Sequence, residues 1–485
     1  MSVTSTLGNA LSGLTAASKA ASVVSSNIAN ATTEGYGVRQ VQTTSVSLNG
    51  QGSGVQVVSV SRNVNEGVLA DRRAADAAYA QAATLASFYG SVEGAIGLPG
   101  DEGSLSSEFS QFEAALVEAG SRPDSDARLA NVVRAAESLA GTLNDLSADI
   151  QSERLEAEKE IARQVDNLNT SLAQIQDLNG DIRLQIAAGN DPLGLMDQRQ
   201  VLIDQIATIV PVSVVDRDFG QVALITESGG VLLDGTAAEI SFRDVGLITP
   251  DMTVASGGLY QVEINGSPVD STSPNNPLKG GSLDALFEIR DELAVSAQGD
   301  VDAVARDLIE RFQNSAIDPT LSAGEPGLFT DAGALVDPAN EVGLAGRIEL
   351  NARVDPAKGG EVWRVRTGLG ATSPGDPGAG GIILALSDAL SEPKVVASGS
   401  FSSIPRTAAA LASDLLSTIG AARQASENEV SYTAAKWETL RSLELEGGVD
   451  TDAELQKLLM IETAYAANAR VIQTVDEMLD LLLRI

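Results

Sequence analysis

The sequence predicts an α+β multidomain chain. It is expected to be elongated, with N- and C-terminal helices paired as a coiled coil, a helical bundle, and an inserted β-rich domain. Three observations predict this. Both ends carry an apolar seam at alternating spacings of four and three; a long helical period fills the stretch from 131 to 188; and short β-type runs separated by Gly and polar residues occupy the middle.

The first seam is Leu7, Leu11, Leu14, Ser18, Ala21, Ser25 and Ile28. It belongs to a helix expected from Val3 to Asn30, roughly 40 Å long at about 1.5 Å per residue. The seam is small and weakly apolar, so the helix is marginal alone in water. The last helix carries Leu458, Ile461, Tyr465, Asn468, Ile472, Val475, Leu479 and Leu482 at the same spacing. Gly447-Gly448 marks a break before it, and Asp450, Thr451 or Asp452 supplies the cap. Each helix could pack on its own domain. The matched stripes make pairing the sharper expectation, with the middle of the chain inserted between its two ends.

Further in, Leu139, Leu143, Leu146 and Ile150, then Ile161, Val165, Leu168, Leu172, Ile175, Leu178, Ile182 and Ile186, predict one long helix. Gly189-Asn190 and Pro192 end it, and a shorter helix over 195–209 stops at Pro211. Ala-rich stretches at 67–96 and 406–441 add two more, with Leu411, Leu415, Ile419 and Ala422 on one face of the second. Residues 212–215, 221–226, 231–233 and 260–264 read as strands, with turns at 227–230 and at Asn265-Gly266. Later strands are expected at 347–350, 361–367 and 382–386, and a loop at 371–381. A helix over 282–315 turns Leu283, Leu286, Phe287, Val304, Leu308 and Phe312 toward a core. The expected domains are 1–60 with 446–485 as an inner coiled coil and 61–211 with 404–445 as the bundle, 280–316 being a candidate addition. Residues 212–279 with 317–403 form the β-rich outer domain.

Composition narrows the function. The 485 residues include 66 acidic and 32 basic side chains, for a net charge of −34. Phosphate recognition needs Lys and Arg, so neither nucleic acid nor an anionic membrane is an expected partner. Cys and His are both absent. Their absence removes disulfides, thiolate nucleophiles, His general bases, Ser-His-Asp triads and most zinc sites. No phosphate-cradling Gly-rich motif is present, and Asp450-Asp452-Glu454 lacks calcium-loop spacing; helix-start charge accounts for it. No catalytic residue, cofactor or metal ligand is expected, and the chain reads as structural, not an enzyme. It has no apolar run of bilayer length and no basic-then-apolar leader, so an extracellular destination requires another export route.

Two segments carry a resemblance. SNIANATTEGY at 26–36 resembles the SNIANxxTxGY signature of flagellar rod, hook and hook-associated proteins. AYAANARVIQTVDEML at 464–479 resembles the ending of the same axial family. The interior is similar to the hook-associated protein 1 family. The similar segments are DLNGDIRLQIAA at 177–188, DQRQVLID at 197–204, GGVLLDG at 229–235, and GGSLDAL at 280–286 through Arg290-Asp291. The resemblance covers most of the chain and is weakest over 316–400. Glu34 stands where Pro is frequent in the family.

The resemblance implies a structural subunit of the bacterial flagellum that joins hook to filament and self-assembles into a helical ring through its terminal helices. It implies an extracellular place at the hook-filament junction, reached through the flagellar type III route without a cleaved signal peptide. The implied partners are further copies of the chain, the flagellar hook protein, the second hook-filament junction protein, and a cytoplasmic export chaperone at the C-terminal helix. The expected assembly interface is Leu7, Leu11, Leu14, Ala21, Asn27, Ile28, Asn30, Gly35 and Tyr36 with Leu458, Ile461, Tyr465, Asn468, Ile472, Val475, Leu479 and Leu482. The alternative is another axial protein, hook or distal rod. A rival of a different class is an adhesin or enzyme built on the β middle.

Overall fold

The computed structural model describes residues 3–48, 51–314, 316–401 and 403–483. In chain order the helices are α1 (Val3–Ala29), α2 (Glu66–Ile96), α3 (Leu105–Ser121), α4 (Asp126–Ala187), α5 (Leu193–Ile209), α6 (Gly281–Glu288), α7 (Ala294–Phe312), α8 (Arg364–Thr367), α9 (Gly381–Ser391), α10 (Ala408–Glu446) and α11 (Thr451–Leu483). The strands are β1 (Val38–Leu48), β2 (Gln51–Asn63), β3 (Val212–Asp216), β4 (Val222–Thr226), β5 (Val231–Asp234), β6 (Thr236–Ala237), β7 (Ile240–Ser241), β8 (Val262–Ile264), β9 (Ser267–Val269), β10 (Phe329–Asp331) and β11 (Ile348–Leu350). Helices dominate, and the strands form four small antiparallel sheets, ordered β1-β2, β3-β4-β5-β6, β7-β8-β9 and β10-β11. The class is α+β.

The chain folds as two compact units, one of Met1–Tyr79, Asn167–Glu239 and Thr433–Ile485, the other of Ala80–Asp166 and Ile240–Tyr432. In the first, the terminal unit, the apolar period of α4 closes a core: Leu168, Leu172, Ile175 and Ile182 are buried, as are Ile203 and Ile206 of α5 and Leu224, Leu232 and Leu233 of the β3–β6 sheet. Gly189 adopts a left-handed φ of 75° and stops α4, its N–H and that of Asn190 turning back to the carbonyls of Ile186 and Gln185. In α5, Arg199 reaches across to Asn179 Oδ1 and the Gly220 carbonyl, both at 2.7 Å. Burial, with Arg62 nearby, lowers its pKa to about 10.

The second, central unit is built around α7. Phe112 of α3, Phe312 of α7 and Phe329 of β10 meet edge-on or tilted, with centroids 5.6–6.0 Å apart. Two arginines of this unit, Arg154 and Arg290, are fully buried and tie α4 to its surroundings. Arg290 pairs with Glu158 of α4 at 2.7 Å and with Asp291 at 2.8 Å. Arg154 has no carboxylate partner in its hydrogen bonds; it donates to the carbonyls of Arg290, Thr249 and Met252 and to Gln151. A buried charge is tolerated when each of its nitrogens has an acceptor in this way.

Two expected strands are helices. Residues 361–367 contain the short helix α8, and 382–386 lie inside α9. Ile383, Leu386 and Leu390 recur at helical spacing and are buried, so the apolar run feeds one helix face rather than a strand. The strand at 347–350 and the Asn265-Gly266 turn are present, with φ of 52° and 74° at the two turn residues. Neither α3 nor the β1–β2 hairpin is among the expected elements.

Burial raises the pKa of several carboxyls, among them Glu158, Asp302 and Asp307 in the central unit and Asp76 and Glu444 in the terminal unit. Each therefore binds its proton more tightly folded than unfolded. Their contribution to stability is complete below the ordinary carboxyl pKa of about 4 and is lost as pH rises through the raised folded values. Calorimetry is expected to give a higher Tm at pH 5.5 than at pH 8; a Tm that rises from pH 5.5 to pH 8 contradicts the assignment.

Candidate functional site

In the terminal unit α1 and α11 lie against each other. They run antiparallel. Gly13 faces Asn468, where an added Cβ would meet Asn468 Nδ2 at 2.7 Å, and Asn27 bonds Glu454 at 3.1 Å. The two contacts are separated by the same number of residues on both helices. Small residues permit the close approach: among those that α1 buries are Ala10, Ala17 and Val24, seven apart. That stripe precedes Leu11, Ser18 and Ser25 by one residue, about 100° around the helix.

Asn27 is 1% exposed and uses its whole hydrogen-bonding capacity. Its Nδ2 donates to the Arg39 carbonyl at 3.0 Å and to Glu454 Oε2 at 3.1 Å. Its Oδ1 accepts from the Tyr36 hydroxyl at 2.9 Å and the Arg39 N–H at 3.0 Å. One amide thus joins α1, the turn after it, the start of β1, and α11. Glu454 is 3% exposed, and Lys457 donates to its other oxygen at 2.6 Å. Asp450 caps α11 through the N–H groups of Asp452 and Ala453, both at 3.0 Å.

A second knot fastens the hairpin to α5. Asp197 accepts from the Gly37 N–H at 3.0 Å, Arg62 Nε at 2.8 Å and the Arg39 guanidinium at 3.2 Å. Arg62 also reaches Gln200 and the Gly35 carbonyl. Gly35 has φ of 75°, and a Cβ there would lie 2.6 Å from Val201, so no other residue fits without displacement. A third cluster holds the end of α10. Arg72 joins Asp76, Asp204 at 2.8 Å and Glu444 at 2.7 Å, and the Trp437 indole donates to Asp76 while stacking on Tyr79.

The residues expected at the interface fall into two groups. Asn27, Gly35 and Tyr36 belong to the knots just described, and Asn30 is half-buried with its amide on the Ser26 carbonyl. Leu14, Ala21, Ile28, Leu458, Ile461, Asn468 and Ile472 are half-buried, and Val475 is buried. Leu7, Leu11, Tyr465 and Leu479 are exposed, Leu11 by 59%. The Leu482 side chain lies outside the described residues. Sequence reasoning missed Arg39, Arg62, Asp197 and Gln200 as site residues. Two arginines flanking an otherwise uncharged stretch were the available signal. Among the described residues no group of three or more acidic side chains is placed to hold a metal, and no helix is long and apolar enough to cross a membrane.

Comparison with known proteins places this arrangement. Residues 91–325 match the family described as the flagellar hook-associated protein FlgK helical domain. Residues 7–36 match the flagella basal body rod protein family, and residues 446–485 match the flagellar basal body rod FlgEFG protein C-terminal family. Flagellar hook-associated protein 1 of Bacillus subtilis is 24% identical over 98% of this chain and 96% of its own length. The chain is similar to the flagellar hook-associated protein 1 family over nearly its whole length. It is a structural protein of the flagellum. The Escherichia coli member is 25% identical over 67% of this chain and 59% of its own length. A solved structure of the flagellar hook junction protein FlgK from Burkholderia pseudomallei aligns with a TM-score of 0.44 and 17% identity, covering 54% of this chain and 47% of that one.

Replacing Asn27 by Ala removes one hydrogen-bond partner from each of the Tyr36 hydroxyl, the two Arg39 backbone groups and Glu454. The expected cost is on the order of 2–4 kcal/mol. Urea unfolding followed by Tyr36 or far-ultraviolet signals checks it; a change below about 0.5 kcal/mol, the scale of an ordinary surface substitution, would show that the hub is dispensable.

Proposed function

We propose that this chain is the subunit that joins the flagellar hook to the filament, and that copies assemble into a helical ring through α1 and α11. One observation supports the reading above others. In α11 only Glu454 and Val475 are buried among the described side chains, while Leu455, Leu459, Met460 and Met478 stand exposed, as do Leu7 and Leu11 of α1. A helix pair that is apolar on its outer faces as well as its inner ones is suited to burial among neighbours. Head-to-tail repetition of that contact yields a ring or an open helix.

In this reading α1 and α11 form a two-stranded coiled coil in an inner layer, residues 1–60 with 446–485. Residues 61–211 with 404–445 form the bundle outside it, and 212–279 with 317–403 the outermost part. One end of each subunit meets hook protein and the other the second junction protein. The exposed stripe of α11 serves a cytoplasmic export chaperone before assembly, and the chain leaves the cell by the flagellar type III route.

The absence of Cys makes a clean test. A chain carrying Leu11→Cys is mixed with one carrying Leu459→Cys, so any mixed disulfide lies between copies. Mixed disulfides are expected in the sedimenting polymer and not in dilute monomer. Failure of the chain to polymerise at any concentration, with no mixed disulfide, counts against assembly through these helices. In cells, loss of the gene is expected to leave hooks intact while filament subunits escape to the medium; loss of the hook itself would favour a hook or distal rod protein.

A further inference from the structure

The β1–β2 hairpin is a two-stranded ribbon with no third strand among the described residues. Its backbone directions can be read from two side bonds. The Arg39 N–H leaves the hairpin for Asn27, and the N–H of Val55, which stands opposite Ser45, leaves it for Ser12 Oγ at 3.1 Å. Residues of an antiparallel strand alternate between inward and outward backbone groups. Val41, Thr43 and Ser45 therefore turn their N–H and C=O groups away from β2. Residues 42–45 are exposed along this edge.

Exposed edges are normally guarded by Lys, Pro, inward charges or bulges. This one is not. From Gln40 to Leu48 the strand QVQTTSVSL has no charge, no Pro and no Gly, and it is rich in strand-forming Val and Thr. The register slip at Gln42/Thr43 places the extra residue, Val58, on β2 and leaves β1 continuous there. The lack of charge extends from Gln40 to Ser61 in a chain of net charge −34. Two such acidic molecules repel over most of their surface and can approach closely along this ribbon. The ribbon also rides on α1, through Ser12 and through the close approach of Gly54 to Ser12, beside the exposed Leu11.

We propose that the outer edge of β1, Val41 to Ser45, pairs by main-chain hydrogen bonds with the hairpin of a second copy of this chain during assembly. The proposal rests on the self-assembly reading above and adds a β-augmentation contact to the helical one. Its signature is an odd-even pattern. Amides of Gln40, Gln42 and Thr44 face β2 and are protected in the monomer, whereas those of Val41, Thr43 and Ser45 exchange freely until copies assemble.

Residue-resolved hydrogen exchange on the full chain, as monomer and as sedimented polymer, tests it. Gain of protection at 41, 43 and 45 supports the contact. Protection gained by α1 and α11 but not by these three overturns the edge contact and leaves helical assembly standing. Absence of any polymer overturns both. Protection that appears only after another axial protein is added overturns the second copy as occupant. Thr43→Pro removes one outward N–H at an edge position, where Pro is tolerated. Its monomer is expected to keep the native circular dichroism and Tm while the concentration needed for assembly rises roughly tenfold, equivalent to about 1.4 kcal/mol. Unchanged assembly by a folded Thr43→Pro chain also overturns the proposal; if that variant misfolds, the exchange pattern of the native chain decides.

Discussion

A buried amide must have both its donors and both its acceptor sites met, and Asn27 meets them with groups from three separate segments. The turn after α1, the first residues of β1 and the first turn of α11 must all arrive for the side chain to be satisfied. No aliphatic contact is so exacting, because apolar surfaces slide with little loss. The short seam of Ala and Gly between α1 and α11 brings the helices close but defines their register weakly. The polar hub supplies that register, in the way a single buried Asn does in a coiled coil.

The same device recurs with charge in place of an amide. Asp197 gathers Gly37, Arg39 and Arg62; Arg72 gathers Asp76, Asp204 and Glu444; Arg290 gathers Glu158 and Asp291. Each joins segments far apart in sequence, and each sits where burial strengthens the interaction and punishes a missing partner. Arginine suits these places because its planar fork serves several acceptors at once. With so many guanidinium groups turned inward, the unpaired charge of the chain is left mainly to carboxylates at its surface.

Much of the helical framework was legible because period and punctuation agree. The seams of α1 and α11, the long period of α4 ending at Gly189, and the Gly447-Gly448 break all locate elements within a few residues. Residues 382–386 misled because a short apolar run does not distinguish a strand from one buried face of a helix. The β1–β2 hairpin is not among the expected elements, although Asn49-Gly50 and the alternating Val41, Val55 and Val57 point to it. Glu454 read as ordinary helix-start charge. Its burial against Asn27 depends on a partner at the other end of the chain, and such a pairing leaves no local pattern.

That separation has a kinetic consequence. Asn27 and Glu454 lie 427 residues apart, and closing a loop of that length in a flexible chain would cost on the order of 5 kcal/mol in entropy. The contact becomes cheap only after the intervening polypeptide has folded and brought the ends near each other. Its formation therefore comes late, as the last clasp of a molecule whose interior is already built. The chain can mature everywhere else first and fasten its two ends last.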